Sequence, residues 1–302
     1  MSRIFDALQR SGVEQTGVEY SDTVAMATKV FEIPELREAS ADLVEDGNRA
    51  LSQISLEQFP SLDTSVVPSS RLVFLTEPES LAAEKFRFLG VRMRQLQQTR
   101  AIQKVLVTST LPEEGKSMVS ANLAGVLARR KRHKVVLVDG DLRRPVLARK
   151  FGLGELDGLA EWLRGDAEAI TNLYHLTEPD LWLMPAGHPP SNPLELLQSN
   201  RLSALMEQLS SLFDWVIIDS PPLLPLGDTS VWQRLADGTL VVVREGITER
   251  TTLQRGLDVL RKADLLGVVV NSSSSGNHHN YYRRYAMARD KKEYEIPPIP
   301  RS

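Results

Sequence analysis

Unbroken apolar runs dominate the middle of the chain. Lys134-Val-Val-Leu-Val-Asp139, Asp214-Trp-Val-Ile-Ile-Asp219, Thr239-Leu-Val-Val-Val-Arg244 and Leu266-Gly-Val-Val-Val-Asn271 are short, rich in β-branched residues and apolar on successive positions. Such runs predict strands buried on both faces. A fifth strand is expected from Val105 into Thr108, and a weaker one at Leu181–Pro185. Between them the apolar positions switch to helical spacing at about 117–131, 155–164, 193–211 and 249–263. Strands that are apolar all round and separated by helices predict an α/β fold: a mostly parallel, doubly wound sheet with helices on both faces. In such a sheet ligands gather at the carboxyl ends of the strands.

The flanks have a different texture. Ile4, Phe5 and Leu8 share one helical face in a piece too short to be stable alone, and residues 11–64 show no sustained period. This segment is expected to be linker with one or two short helices. Arg71-Leu-Val-Phe-Leu-Thr76 has the look of a short strand, and Pro78-Glu-Ser80 opens a helix running to about Gln98. After Asn271 comes the polar run Ser272-Ser-Ser-Ser-Ser-Gly-Asn-His-His-Asn280, then Tyr281-Tyr-Arg-Arg-Tyr285 and Tyr294. Four of the six tyrosines therefore lie in the last 22 residues, outside any core pattern. The expected organisation is an N-terminal segment 1–66, an α/β domain 67–275 and a tail 276–302, both terminal segments being flexible.

Composition narrows the function classes. With 302 residues, 42% of them apolar, the chain can bury a sizeable core. No stretch approaches the ~18 apolar residues of a membrane span, and the first residues lack the apolar core of a signal peptide, so a cytoplasmic location is expected. The absence of cysteine excludes disulfides, thiolate metal sites and iron–sulfur ligation. A net charge of −3 provides no general attraction to nucleic acid.

Three stretches carry candidate chemistry. The first is Thr110-Leu-Pro-Glu-Glu-Gly-Lys-Ser117, between a strand and a helix. It resembles a phosphate-binding loop, in which backbone N–H groups and a helix N-terminus cradle an anion, a lysine reaches the β- and γ-phosphates and a hydroxyl joins a Mg²⁺ shell. Thr110 stands where the pattern has its first glycine, and Glu113 lies inside the loop. Glu114, Gly115, Lys116, Ser117 and Met118 are the expected nucleotide contacts. The second stretch is Val138-Asp-Gly-Asp-Leu-Arg-Arg-Pro145, two carboxylates one residue apart after a strand. The third is Ile217-Ile-Asp-Ser-Pro-Pro222, with one acid at a strand end. Phosphoryl transfer needs a held γ-phosphate, a neutralising cation and an oriented acceptor hydroxyl, which these groups together supply.

These motifs, together with Pro190-Ser-Asn-Pro-Leu-Glu-Leu-Leu197 and the tyrosine tail, resemble the bacterial tyrosine autokinases of the capsule and exopolysaccharide pathway. That family has the P-loop NTPase fold of the MinD/ParA type. The resemblance implies ATP and Mg²⁺ as cofactors, with Lys116 and Ser117 binding nucleotide and metal. It implies that Asp139 activates the acceptor hydroxyl beside the metal, that Asp141 supports it and that Asp219 holds the metal. Asn271 matches a position near the adenine. Tyr281, Tyr282, Tyr285 and Tyr294 would be the phosphoacceptors, modified in a neighbouring subunit. The implied partners are a membrane chain-length regulator, or polysaccharide co-polymerase, other copies of the chain in a homo-oligomer and a protein-tyrosine phosphatase, with association to the inner face of the membrane through a partner. Family members close a ring of subunits through a Glu-x-x-Arg-x-x-Arg helix; Glu84 and Arg87 match, but the third position is Gly90.

Two other ATP-binding readings compete. A partitioning or positioning ATPase would carry a signature lysine five residues before Lys116, where this chain has Leu111. A catalytically weak scaffold for the polysaccharide machinery would explain the loop departures. A tail that stacks on single-stranded nucleic acid would explain the aromatics but none of the aspartates.

Overall fold

The computed structural model describes residues 56–129, 133–165, 170–224, 227–260 and 264–271. In chain order they form β1 (Ser61–Leu62), α1 (Val73–Thr76), α2 (Leu81–Thr99), β2 (Lys104–Ser109), α3 (Lys116–Ala128), β3 (Val135–Asp139), α4 (Leu147–Lys150) and α5 (Leu159–Arg164). There follow β4 (Tyr174–Leu176), β5 (Leu181–Met184), α6 (Pro193–Leu197), α7 (Asn200–Leu212), β6 (Trp215–Asp219), α8 (Asp228–Leu235), β7 (Gly238–Arg244), α9 (Arg250–Val259) and β8 (Leu265–Asn271). The strands make one eight-stranded sheet in the order β1-β4-β5-β3-β6-β2-β7-β8. Every neighbouring pair is parallel except β4 with β5, so the expected parallel core carries an antiparallel edge.

The central strands are buried on both faces, as their unbroken apolar runs require. Val105 and Val107 of β2 share a cluster with Leu123 and Leu127 of α3, and Leu106, Val136 and Ile218 are equally buried on successive, oppositely directed positions. Helix α3 is apolar around most of its circumference, which suits a helix lying between the sheet and α2. Ser80 caps α2 by accepting from the Ala83 N–H at 3.1 Å.

Three local expectations change. The strand expected at Arg71–Thr76 is the short helix α1. Its Phe74 packs on α3 at Gly125, where even a Cβ would lie 2.2 Å from the ring, and the Phe74 N–H donates to Asn122 Oδ1 at 3.3 Å. The backbone of this segment is thus satisfied by a helix, not by a neighbouring strand. The region read as linker contributes Ser61–Leu62 to the sheet edge, paired with β4. The helix expected over 193–211 is two helices, α6 and α7, separated by Gln198 and Ser199. The N-terminal amphipathic piece and the four tail tyrosines lie outside the described residues.

Candidate active site

Strand register brings the motifs together. Asp139 and Asp219 are paired neighbours at the ends of β3 and β6, and Val107 of β2 pairs with Asp219 on its other side. The loop Thr110–Gly115 therefore rises beside both aspartates. Gly140 donates its N–H to Asp219 O at 2.7 Å, and a Cβ there would meet Asp219 O and the Trp232 ring, each at 2.8 Å. Glycine between the two acids is what lets the strand end fold against β6.

The loop is held from beneath. Glu114 is buried, and its carboxylate accepts from Thr110 Oγ1, from the Leu111 N–H at 2.8 Å and from Thr248 Oγ1. Asn271 Nδ2 donates to Glu114 O at 2.9 Å and closes over Gly115, where it leaves no room for a Cβ. Gly115 has φ +98 and Glu113 φ 64, so two residues of the loop are left-handed. Only glycine adopts that conformation without strain. Glu113 is exposed at the cavity mouth.

Lys116 and Ser117 begin α3. Lys116 Nζ reaches Asp141 Oδ2 at 2.8 Å. Burial pulls the Lys116 ammonium down, but the carboxylates of Asp219, Asp141 and Asp139 outweigh it, and the net direction is up. Asp139 accepts from the N–H groups of Val146 and Leu147 at 3.1 and 3.0 Å through Oδ2, while its buried Oδ1 has no partner. Burial, followed by the charge of Asp219, pushes the Asp139 carboxyl up to about 7. Asp219 is fully buried, and neither of its carboxylate oxygens has a hydrogen bond of regular geometry. Burial raises it too, against Lys116 and the nearby hydroxyls of Ser117 and Ser120. Three orphaned acid oxygens beneath a lysine and a serine hydroxyl suit a hard divalent cation, which takes oxygen ligands.

A cavity of about 970 Å³ opens above. Gly115, Lys116, Ser117, Met118, Asp141 and Asn271 line it, together with Arg71, Arg143, Arg144, Arg149, Lys150 and Arg244. Of the expected contacts, Glu114 faces away and serves as the loop's internal brace. Asp219 lies under the floor, and Asp139 lines an adjoining cleft of about 440 Å³. Glu84 and Arg87 stand apart on α2, ion-paired to each other at 2.6 Å. Gly90 is buried against α3, where a Cβ would meet Val126 Cγ2 at 3.1 Å, so that position offers no arginine to the helix surface.

Sequence reading missed several supports. Asp228, at the start of α8, is buried and binds Arg143 through both oxygens, at 2.6 and 3.0 Å. Trp232 of the same helix donates to Gly140 O at 3.2 Å, and Thr229 Oγ1 donates to Pro221 O at 2.9 Å. The signal available was the spacing of Asp228, Val231 and Trp232 after a Pro-rich loop.

Residues 105–302 match the CobQ/CobB/MinD/ParA nucleotide binding domain family. The chain is 33% identical over 202 residues to tyrosine-protein kinase YwqD of Bacillus subtilis, covering 66% of this chain and 85% of that one. It is 30% identical over 247 residues to tyrosine-protein kinase ptk of Acinetobacter johnsonii, covering 78% of this chain but 33% of that much longer one. Among solved structures, the kinase domain of the Escherichia coli tyrosine kinase ETK superposes with a TM-score of 0.64 at 27% identity, over 74% of this chain and 88% of that one. No helix among the described residues is long and apolar enough to cross a membrane.

Proposed function

The chain belongs to the bacterial tyrosine-protein kinases of the CobQ/CobB/MinD/ParA nucleotide-binding family, and on that premise we propose how its residues divide the work. ATP lies in the cavity over the loop, with its phosphates on the backbone of Gly115–Ser117 and on Lys116. Asn271 fixes the loop on the base side. Ser117 and Asp219, with Asp139 close by, would hold Mg²⁺, which would supply charge neutralisation to the phosphates. The observation that carries this reading is the set of buried, unpartnered oxygens on Asp139 and Asp219 directly below Lys116 and Ser117.

The acceptor is a tyrosine hydroxyl. Asp139, raised by burial and by Asp219, is a carboxylate whose free Oδ1 can take the hydroxyl proton as the bond to phosphorus forms. Asp141 orients Lys116 through their 2.8 Å ion pair. Tyr281, Tyr282, Tyr285 and Tyr294 are the acceptors, presented by a second copy of the chain. Glu84 and Arg87 lie on the surface through which copies meet. The setting is control of capsule or exopolysaccharide synthesis at the inner face of the membrane, through a membrane-bound partner.

Incubation with ATP and Mg²⁺ followed by mass-spectrometric mapping of phosphotyrosine tests the reading. Modification of the tail tyrosines that disappears in Lys116→Met and Asp139→Asn is expected. Bound ATP with an unmodified tail would remove the autokinase assignment and leave a nucleotide-binding scaffold.

A further inference from the structure

A line of alternating charge runs from the phosphate loop through Asp141, Arg143 and Asp228 to the start of α8. Lys116 Nζ lies 2.8 Å from Asp141 Oδ2, and the charge of Asp141 acts in turn on Arg143. Arg143 donates from Nε to Asp228 Oδ2 at 2.6 Å and from Nη2 to Asp228 Oδ1 at 3.0 Å. The two ends of this last pair are unlike. The Asp228 side chain is 1% exposed, whereas that of Arg143 is 38% exposed, and Arg143 lines the nucleotide cavity with Lys116 and Asp141. For the fold alone, an apolar pair of similar volume would serve as well as a buried acid and its cation. What the pair adds is a fixed guanidinium at the cavity: a bidentate bond removes beforehand the rotamer freedom of a long side chain. Both bonds come from the Nε and Nη2 side and leave the Nη1 end of the fork for a further acceptor.

The anchor is tied to the frame of the site. Trp232, one turn beyond Asp228 in α8, donates to Gly140 O at 3.2 Å. Thr229 Oγ1 donates to Pro221 O at 2.9 Å and to Pro222 O at 3.1 Å. Gly140 follows Asp139 directly, and Pro221 stands two residues after Asp219. The helix that fixes Arg143 is therefore bonded to both strand ends that carry the open acids, and Arg143 keeps its place relative to them.

We propose that Arg143 is a second cationic contact to the terminal phosphoryl group of the nucleotide, beside Lys116, and that Asp228 is the positioning residue that holds it there. The assignment rests on the reading that a nucleoside triphosphate fills this cavity. Lys116 comes from the start of α3 and Arg143 from the segment after β3, so the two cations approach from different elements with Asp141 between them. Charge on the oxygens of the transferred group then meets donors already in place, which need no reorganisation during transfer.

The test compares binding of two ligands that are not turned over, ADP and the β,γ-imido analogue of ATP, each with Mg²⁺, to the full chain and three variants. Arg143→Gln should weaken the triphosphate analogue by at least about tenfold more than it weakens ADP, as loss of one charge-assisted bond implies. Asp228→Asn leaves the guanidinium charged but unfastened, and should show the same selective loss at about threefold, the cost of immobilising one long side chain. The double variant Arg143→Gln with Asp228→Asn sets two amides face to face, so no charge is left buried. If Asp228 works through Arg143, its selective loss should match that of Arg143→Gln within about twofold. A purely structural Asp228 would weaken both ligands alike, and its effect would multiply that of Arg143→Gln. Equal losses of ADP and analogue in Arg143→Gln would overturn the proposal, as would a double variant that shows the product of the two single losses. Because binding needs no transfer, a chain with these selective losses that never phosphorylates tyrosine would remove the kinase reading and leave the placement of Arg143 standing.

Discussion

Glu114 and Asp219 are buried acids on two sides of one loop, exposed by 1% and 0%, yet their surroundings differ completely. Glu114 spends both oxygens on Thr110, Leu111 and Thr248, with no lysine or arginine among these partners. Asp219 has no regular hydrogen bond to either oxygen and sits below Lys116. Asp228 repeats the closed arrangement by another route, with its charge matched by Arg143. A buried acid whose bonds are closed holds the structure in place; one whose bonds are left open costs stability until a cation arrives. The first kind makes the loop, and the second makes the loop useful.

The largest effect tests the open side. Lys116→Met removes the cation above Asp219 and Asp139, and the rate of tyrosine phosphorylation should fall by at least about 10²–10³. Glu114→Gln, which keeps the side-chain shape and one acceptor oxygen, should retain most of the activity in the same assay. If both variants lose activity equally, the distinction between open and closed acids fails.

The second effect is on stability without nucleotide. Asp139 stands near 7 in the folded chain against 3.8 for an ordinary aspartate, and Asp219 is displaced in the same direction. Between these values the folded form binds a proton that the unfolded form releases, so this pair's contribution to stability falls as pH rises and stays low above about 7. Each unit of displacement corresponds to about 1.4 kcal/mol, a ceiling here because the two acids share the effect. In chelator, Asp219→Asn should therefore melt above the wild type by several degrees at pH 8, at roughly 2–4 °C per kcal/mol, and by less at pH 5. Mg²⁺ with nucleotide should reverse the order. A gap that does not change with pH would mean that Asp219 is already partnered.

Sequence patterning revealed the open side better than the closed one. Asp139, Asp141 and Asp219 each end or follow an unbroken apolar run, and the parallel sheet such runs imply puts them at one edge. Glu114 sits in a loop where local spacing says nothing of which way a side chain turns, and Thr248, which completes its bonds, is 134 residues away. Asp228 was missed because α8 follows a proline-rich loop and starts with polar Thr229 and Ser230. The strands β1 and β4, two and three residues long, are too short to carry a period, and their place depends on pairing across 114 residues.

A third effect tests the closed side. Glu114→Ala leaves the Leu111 N–H and the Thr110 and Thr248 hydroxyls without their acceptor. Each buried unsatisfied group costs about 1–3 kcal/mol, less where water enters. Chemical denaturation should show this loss in chelator and with Mg²⁺ nucleotide alike, since no ligand replaces a brace. Stabilisation by ligand that restores the wild-type midpoint would show that Glu114 belongs to the binding site after all.

The smallest effect concerns Glu113, a charged residue at φ 64 in the mouth of the phosphate cavity. Its left-handed backbone costs about 1–2 kcal/mol relative to glycine, and glycine gives back about 0.5–1 kcal/mol through the greater freedom of its unfolded chain. Glu113→Gly should thus stabilise the fold by up to about 1 kcal/mol, read as a higher denaturation midpoint. The carboxylate is exposed, so solvent screens it from the phosphates, and nucleotide affinity should improve by no more than about threefold at ordinary salt. An improvement above tenfold would mean that the carboxylate turns inward against the phosphates. Glu113 would then oppose the filled site, whereas Asp219 opposes the empty one, and the two open carboxylates would act on nucleotide binding in opposite directions.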